Sequence, residues 1–328
     1  MVEQIYARTE KITIPQGLIN SEAEMEGLYS LLSILISEST IVPNGYTYAS
    51  DYSYIKFEYN KTAYQQNDEI VAVNKKVSSV ISSIKPGWSD YEKVKFLHDY
   101  IVTNCTYDAT APNASSAYGC LVEGRAVCEG YAKAMMLLCA AIEIECLPVI
   151  GNSLPDENGE KVPHIWNLIK IDGKWYHFDV TWDDPKTNIS NYYSYTFFGL
   201  TDEKIRMDHE VTNFALFSYP VANSVDANYY VRNGLVISSE ANINNTLEKA
   251  IKKAVKNREK FVYVECSSLS VYGKIINLSS TELLSNISSF IFSTLTEAEV
   301  ENNMTSNIMF QGYLRDETHY MVTFILGY

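Results

Sequence analysis

The spacing of hydrophobic residues along the chain changes between helical and strand periodicity, which predicts a mixed α+β protein. The apolar positions of Met25–Leu35 fall on one helical face, and Tyr46–Tyr59 alternates as a strand does. Ile70–Ile84 returns to helical spacing. Residues 1–86 are therefore predicted to form a helix, a strand and a helix.

Two capping-box patterns mark the starts of helices: Ser21 with Glu24, and Ser89 with Glu92. From Cys128 onward the chain is rich in Ala and Leu, which predicts a long, largely buried helix that ends near Glu145. The first residue of this helix is therefore predicted to be a cysteine.

The clearest β-hairpin is predicted over His164–Ile171 and Lys174–Trp182, with Asp172-Gly173 as its two-residue turn. The residues on either side of this turn pair with each other, and this pair sets the register of all the others.

In this register Trp166 lies opposite Asp179 and His164 lies opposite Thr181, with all four side chains on one face. His164 and Asp179 become diagonal neighbours whose Cβ atoms are roughly 7–8 Å apart. A hydrogen bond between imidazole and carboxylate can close that gap. The opposite face carries an apolar set suited to a core: Ile165, Ile169, Tyr176, Phe178 and Val180.

The C-terminal part has its own mixture of helix and strand patterns, which indicates a separate small α+β unit. It includes a predicted helix near Leu283–Phe292 and a closing hairpin of Ile308–Leu314 and Tyr320–Leu326. The predicted domains are residues 1–86, the catalytic core 87–220 and the C-terminal domain 221–328.

Composition and charge exclude several classes of function. The 46% hydrophobic and 20% charged content is that of a globular protein, and the net charge of −14 argues against a nucleic-acid partner. No apolar run reaches the ~20 residues of a spanning helix, so we expect no membrane span. The first residues lack the features of a signal peptide. Because a removed signal leaves no trace, a secreted or cell-surface location stays open.

The cysteines and histidines do not follow a metal-binding motif. None of the six cysteines forms C-x-x-C, the five histidines are scattered, and no acidic cluster resembles a calcium loop. We therefore expect neither a metal nor a cofactor.

Cys128, His164 and Asp179 are the residue types of a thiol nucleophile, its general base and the carboxylate that orients the base. A helix N-terminus carries a partial positive charge and free N–H groups, which favour a thiolate and can bind an oxyanion. Gly130 is expected to leave room for a substrate beside the sulfur.

Other residues compete for these roles. His177 lies on the same face as the predicted base, but it pairs with Leu168 nearer the turn, and Cys120 has no helix behind it. His98 is expected to make a local hydrogen bond within a helix. Asp183-Asp184-Pro185 is expected to form a turn and not a metal site.

Three motifs in a fixed order resemble the transglutaminase-like superfamily, in the branch common among bacterial proteins. They are V-C-E-G-Y-A at Cys128, H-I-W-N at His164 and G-K-W-Y-H-F-D-V-T-W-D-D-P around Asp179. The likeness covers about residues 88–200. It implies a papain-like core, in which a Cys-bearing helix packs on an antiparallel sheet, and its catalytic triad falls on the same three residues.

The resemblance implies acyl transfer from peptide or protein amides through a thioester, as in a protease, an amidase or a transglutaminase. Tyr118, Trp166 and Asn167 are candidate supporting, oxyanion-binding or cleft residues. The alternative is a catalytically degenerate module whose flanking domains bind a protein or cell-wall ligand. A structural surface protein, suggested by the Tyr-rich N-terminal region, is a third hypothesis.

Overall fold

The computed structural model describes residues 1–36, 43–59, 61–153, 160–185, 189–214, 217–277, 285–290 and 308–328. Its helices include α1 (Val2–Tyr6), α2 (Glu22–Leu35), α3 (Ala63–Ile81), α4 (Asp90–Asn104), α5 (Cys128–Ala140), α6 (Asp202–Ile205), α7 (Tyr229–Arg232), α8 (Ile243–Asn257) and α9 (Leu269–Ile276). Within these ranges no helix has the length and apolar character needed to cross a bilayer.

The strands are β1 (Ile12–Thr13), β2 (Pro43–Tyr48), β3 (Tyr54–Tyr59), β4 (Thr106–Tyr107), β5 (Arg125–Ala126), β6 (Cys146–Ser153), β7 (Pro163–Ile171), β8 (Lys174–Phe178), β9 (Phe198–Leu200), β10 (His209–Val211), β11 (Val236–Ile237), β12 (Phe261–Cys266), β13 (Met309–Asp316) and β14 (Met321–Gly327). The mixture of helices with mainly antiparallel sheets confirms the predicted α+β class.

The chain divides into two compact units. The first contains Met1–Tyr193 and Phe197–Ser224, and the second contains Ser194–Thr196 and Val225–Tyr328. The domain boundaries at residues 86 and 220 stay a prediction.

The prediction of one strand over Tyr46–Tyr59 is wrong, because this segment forms the hairpin β2–β3. In the connection, the Ser53 N–H donates to Asp51 Oδ1 at 3.1 Å, and Tyr52 has a positive φ of 58°. The connection contains neither Gly nor Pro, so the sequence indicated only weakly that the chain changes direction between β2 and β3.

Reciprocal capping boxes begin two of the long helices. The hydroxyl of Ser89 accepts the N–H of Glu92, whose carboxylate accepts the N–H of Ser89, so the predicted capping box of α4 is confirmed. α3 begins at Ala63, earlier than the helical spacing indicated. A second box of Thr62 and Gln65, which the pattern analysis missed, explains this earlier start.

The predicted hairpin turn and the register next to it are confirmed. Ile171 pairs with Lys174, and the ladder continues to the pair of Asn167 with Phe178. Asp172 and Gly173 have φ values of 50° and 80°, as a type I′ turn requires.

The predicted pairs of Trp166 with Asp179 and of His164 with Thr181 are wrong. β8 ends one residue before Asp179, and the Asp179 N–H donates to the carbonyl of Phe197 at 3.1 Å. The strand that holds Trp166 and His164 continues in contact with β6. The chain after β8 therefore turns, and Asp179 belongs to this turn.

The predicted core, a Cys-bearing helix on an antiparallel sheet, is confirmed. The sheet has the strand order β10-β6-β7-β8-β9, and α5 packs against β6 and β7. The side chain of Asn167 on β7 donates to the Ala132 carbonyl of α5 at 3.2 Å. The helix begins at Cys128 as predicted but ends at Ala140, before Glu145, because the chain leaves it there to enter β6.

The second unit contains the sheet β11-β12-β14-β13, on which α8 packs against β11 and β12. The buried side chains of α8 include Leu247, Ile251 and Val255. The predicted closing hairpin is confirmed as β13 and β14. Of the helix predicted near Leu283–Phe292, residues 285–290 are described and helical, and its ends lie outside the described residues.

Gly130 allows α5 to approach the chain that precedes it. A Cβ atom at this buried position would overlap the carbonyl oxygen of Ala114 and lie 2.9 Å from that of Ser116. The expectation that Gly130 leaves room for a substrate is therefore wrong. Its hydrogen faces backbone, and the requirement for glycine comes from packing.

We predict that Gly130→Ala destabilises the protein by about 1–3 kcal/mol, since the added methyl group forces α5 away from residues 114–116. Urea unfolding followed by tryptophan fluorescence measures this, because all four tryptophans lie in the first unit. Gly45→Ala is the matched control, since its nearest atom would lie 3.8 Å away. Equal stability of the two variants would contradict the packing argument.

Candidate active site

Cys128 is the first residue of α5, and its thiol is free and half-buried. The backbone just before it is held in place by the Val127 N–H, which donates to the Ala114 carbonyl at 3.0 Å. The N–H groups of a first helical turn have no acceptor within the helix. They therefore remain available to an anion beside the sulfur.

His164 joins Cys128 to Asp179. Its Nε2 lies 2.6 Å from Asp179 Oδ2. Its side chain is also near enough to the Cys128 thiol for the sulfur to affect the pKa of the imidazole. Because the carboxylate occupies Nε2, Nδ1 is the ring nitrogen left for the sulfur. The rings of Trp166 and Trp182 lie near the imidazole, with centroid distances of 5.9 and 5.6 Å. The structure thus brings together the three residues that the sequence singled out.

The Asp179 carboxylate is buried and has four hydrogen-bonding partners within the described part of the chain. Oδ1 accepts the N–H groups of Thr181 and Trp182 at 3.0 and 3.2 Å. Oδ2 lies 2.6 Å from Nε2 of His164 and 3.0 Å from Nε2 of His209. These donors replace the water that a carboxylate loses on burial.

A second buried pair anchors the turn that contains Asp179 to α4. His98 Nε2 lies 3.1 Å from Asp183 Oδ2, and Asp183 Oδ1 accepts the N–H of Phe197 at 3.0 Å. His98 also makes the predicted local bond, from Nδ1 to Asp99. Burial would lower the pKa of His98, but the two carboxylates raise it. Asp183 and Asp184 therefore lie in a turn, as predicted.

His209 is a member of the site that the sequence analysis missed. It is buried on β10, with Nε2 on Asp179 and Nδ1 2.6 Å from Asp208 Oδ1. Its strand has three residues and lies outside the hairpin, so no register rule places it beside Asp179. The adjacent Asp208-His209 pair is the only signal that the sequence contains.

Charge pairing outweighs burial for the ionisable groups of this site. Burial would lower the pKa of His164, but the charge and hydrogen bond of Asp179, together with the nearby Cys128 thiol, raise it to about 10. Burial would raise the pKa of Asp179, but His164 and His209 hold it below its ordinary value. Burial would also lower the pKa of His209, but Asp179 and Asp208 raise it. At neutral pH the site therefore holds imidazolium beside carboxylate.

The three candidate supporting residues occupy different places. Asn167 joins β7 to α5 through its hydrogen bond to the Ala132 carbonyl. The indole N–H of Trp166 donates to His177 Nδ1 at 2.9 Å, so it is not available as an oxyanion donor, and Trp166 lies beside the His164 ring. Tyr118 is half-buried just before the π-helical turn Gly119–Glu123, and its role stays a prediction.

The rivals for base and nucleophile have structural partners. His177 is held between Trp166 and Asp202, with 2.9 Å from its Nε2 to Asp202 Oδ1. Burial lowers the pKa of His177, although Asp202 opposes this effect. Burial, with a smaller effect of the neighbouring Cys105 thiol, raises the pKa of the Cys120 thiol. Neither residue therefore replaces His164 or Cys128 in the arrangement.

The ligand atoms of His164, Asp179 and His209 lie within 4.8 Å of one another, a spacing that also suits metal ligands. However, the 2.6 Å between His164 Nε2 and Asp179 Oδ2 is a hydrogen-bond distance. Two ligands of a tetrahedral zinc ion stand roughly 3.4 Å apart. At these distances the three residues form a chain of hydrogen bonds.

Comparison with known families agrees with the predicted resemblance. Residues 79–180 match the transglutaminase-like superfamily. The matched range contains Cys128, His164 and Asp179 and stops before His209. The match supports a cysteine-dependent enzyme in general terms. None of the curated proteins matches the chain.

Among solved structures, a "putative cysteine protease from Cytophaga hutchinsonii" is 25% identical over 37% of this chain and 39% of its own, with a TM-score of 0.28. The structure of a TGase is 20% identical over 40% of this chain and 36% of its own, with a TM-score of 0.31. Menin is 12% identical over 93% of this chain and 66% of its own, with a TM-score of 0.28. The chain thus spans less than half the length of the first two structures.

We predict that Asp179→Asn lowers the pKa of His164 from about 10 to below 6.5, its ordinary value, because burial then acts without the opposing carboxylate. In the unchanged protein, the raised pKa stabilises the fold below about pH 6.5, and this contribution is lost as the pH rises through about 10. The variant should lack that alkaline loss of stability.

NMR titration of the His164 ring and urea unfolding at about pH 6.5 and about pH 10 measure the two effects. Asp316→Asn is the control, because it removes the carboxylate partner of His319 in the second unit. The assigned cause is wrong if the His164 pKa is the same in both variants.

Proposed function

We propose that this protein is a cysteine-dependent acyl-transfer enzyme that forms a thioester on Cys128 from a peptide or protein amide. The observation that carries the proposal is that Cys128 begins a helix beside His164, whose Nε2 lies 2.6 Å from Asp179 Oδ2. The match of residues 79–180 to the transglutaminase-like superfamily supports the same chemistry.

In the first step the Cys128 sulfur attacks the carbonyl carbon of the amide as a thiolate, which a neighbouring imidazolium favours. A C–S bond forms, and the C–N bond breaks when the tetrahedral intermediate collapses. The proton of His164 Nδ1 passes to the departing amine, so His164 becomes neutral. Asp179 keeps the ring oriented through Nε2 while this proton moves.

In the second step an acceptor attacks the thioester carbonyl and gives its proton to His164. Water as acceptor yields a carboxylic acid, whereas a primary amine yields a new amide. Either acceptor restores the Cys128 thiolate beside the His164 imidazolium. The two reactions use the same groups and differ in which acceptor reaches the thioester.

Each tetrahedral intermediate carries a negative oxygen that needs hydrogen-bond donors. The N–H groups of the first turn of α5 are the proposed donors, because they lack acceptors within the helix. Tyr118 is the remaining candidate for a side-chain donor, since the indole N–H of Trp166 is engaged with His177.

Trapping of the acyl-enzyme tests the proposal. We predict that glutamine-containing peptides add an acyl mass to Cys128, and that Cys128→Ala lowers the rate roughly 10⁴-fold or more, because the thioester can no longer form. Adding a labelled primary amine separates the acceptors, since incorporated label reports amine transfer and free acid reports hydrolysis.

Reaction with iodoacetamide provides a test that needs no substrate. We predict that Cys128 reacts at neutral pH well before Cys266, whose pKa burial raises to about 12. Cys266→Ala is the matched control and should keep the acyl adduct. Slow alkylation of Cys128, with no acyl adduct from any peptide, would favour the non-catalytic binding module.

A further inference from the structure

His209 and His164 approach the same oxygen atom. Asp179 Oδ2 lies 2.6 Å from Nε2 of His164 and 3.0 Å from Nε2 of His209, and the two ring centroids are 5.3 Å apart. The His209 side chain is fully buried, although it lies on an edge strand. The site therefore extends one step beyond the three proposed catalytic residues.

The partners of His209 define its protonation state. A carboxylate oxygen only accepts hydrogen bonds, so a ring nitrogen that faces one must carry a proton. Nε2 of His209 faces Asp179 and Nδ1 faces Asp208, at 3.0 and 2.6 Å. A ring with protons on both nitrogens is a cation. The raised pKa of His209, caused by these two carboxylates against the effect of burial, agrees with this assignment.

The charge of His209 faces two carboxylates, those of Asp179 and Asp208. Among the residues that the structure describes, its ionisable neighbours are Asp208, Asp179 and His164, together with His177, whose pKa the charge of His209 helps to lower. The remaining ring contacts are aromatic: Trp166, Trp182 and Phe197. Water has little access to this cluster, so the attraction between His209 and Asp179 is weakly screened.

We propose that His209 is a positioning residue that holds Asp179 in place and competes with His164 for its oxygen. The inference rests on the proposed function and extends it. Because His209 takes up part of the carboxylate's charge, His164 releases its proton to the departing amine more readily than it would beside an unshared carboxylate. His209 touches neither the sulfur nor the substrate and acts through Asp179.

Two variants separate its charge from its hydrogen bond. His209→Gln keeps an N–H that can reach Asp179 but removes the charge, and His209→Phe removes both. We expect the pKa of His164, measured by NMR of its labelled ring, to rise by about one pH unit in His209→Gln. We expect kcat to fall by about tenfold in His209→Phe, with partial recovery in His209→Gln and little change in KM.

His177→Gln is the matched control. It removes another buried histidine of the same sheet, and burial lowers the pKa of His177, so no charge is lost at neutral pH. The pKa of His164 should stay at its original value in this variant. A general loosening of the sheet would affect both variants alike, whereas a charge effect is confined to His209→Gln.

The NMR measurement is independent of turnover, so it distinguishes failure of this inference from failure of the proposed function. If the protein processes no amide but the pKa of His164 rises in His209→Gln, the proposed reaction is wrong and the proposed role of His209 stands. A neutral His209 ring at neutral pH in the unchanged protein, or an unshifted His164 in His209→Gln, overturns the inference. The first of these measurements needs no variant, so misfolding of His209→Phe leaves the test intact.

Discussion

The buried carboxylate of Asp179 is the interaction on which the site depends. It accepts two backbone N–H groups of its own turn and binds two histidines from different strands. A carboxylate without water stays ionised only if such donors surround it. The position of Asp179 therefore sets those of His164 and His209, and its charge raises the pKa of both rings against the effect of burial.

A second constraint places the sulfur where this charge can act on it. α5 must approach residues 114–116 closely, which only a glycine at position 130 permits. The hydrogen bond from Asn167 to the Ala132 carbonyl joins the same helix to β7, the strand that carries His164. The helix and the sheet are thus joined close to Cys128 and His164, so packing sets the distance between these two residues.

The sequence predicted much of the core because the signals there are local. The Asp172-Gly173 turn sets the hairpin register, and the Ala- and Leu-rich segment after Cys128 specifies a buried helix. The register identified His164 and Asp179 as neighbours, although it did so through ladder pairs that do not form. His164 and Asp179 are nevertheless close in space, because the turn after β8 brings Asp179 back toward β7.

By itself, then, the sequence determined the Cys-bearing helix, the hairpin and the order of the three proposed catalytic residues, since periodicity and turn chemistry act over a few residues. Only the tertiary structure decided that His209 shares Asp179 and that His98 anchors the turn through Asp183. It also decided that Gly130 serves packing. These contacts join segments far apart in the chain, and a buried charge selects such partners by position in space, which no local pattern encodes.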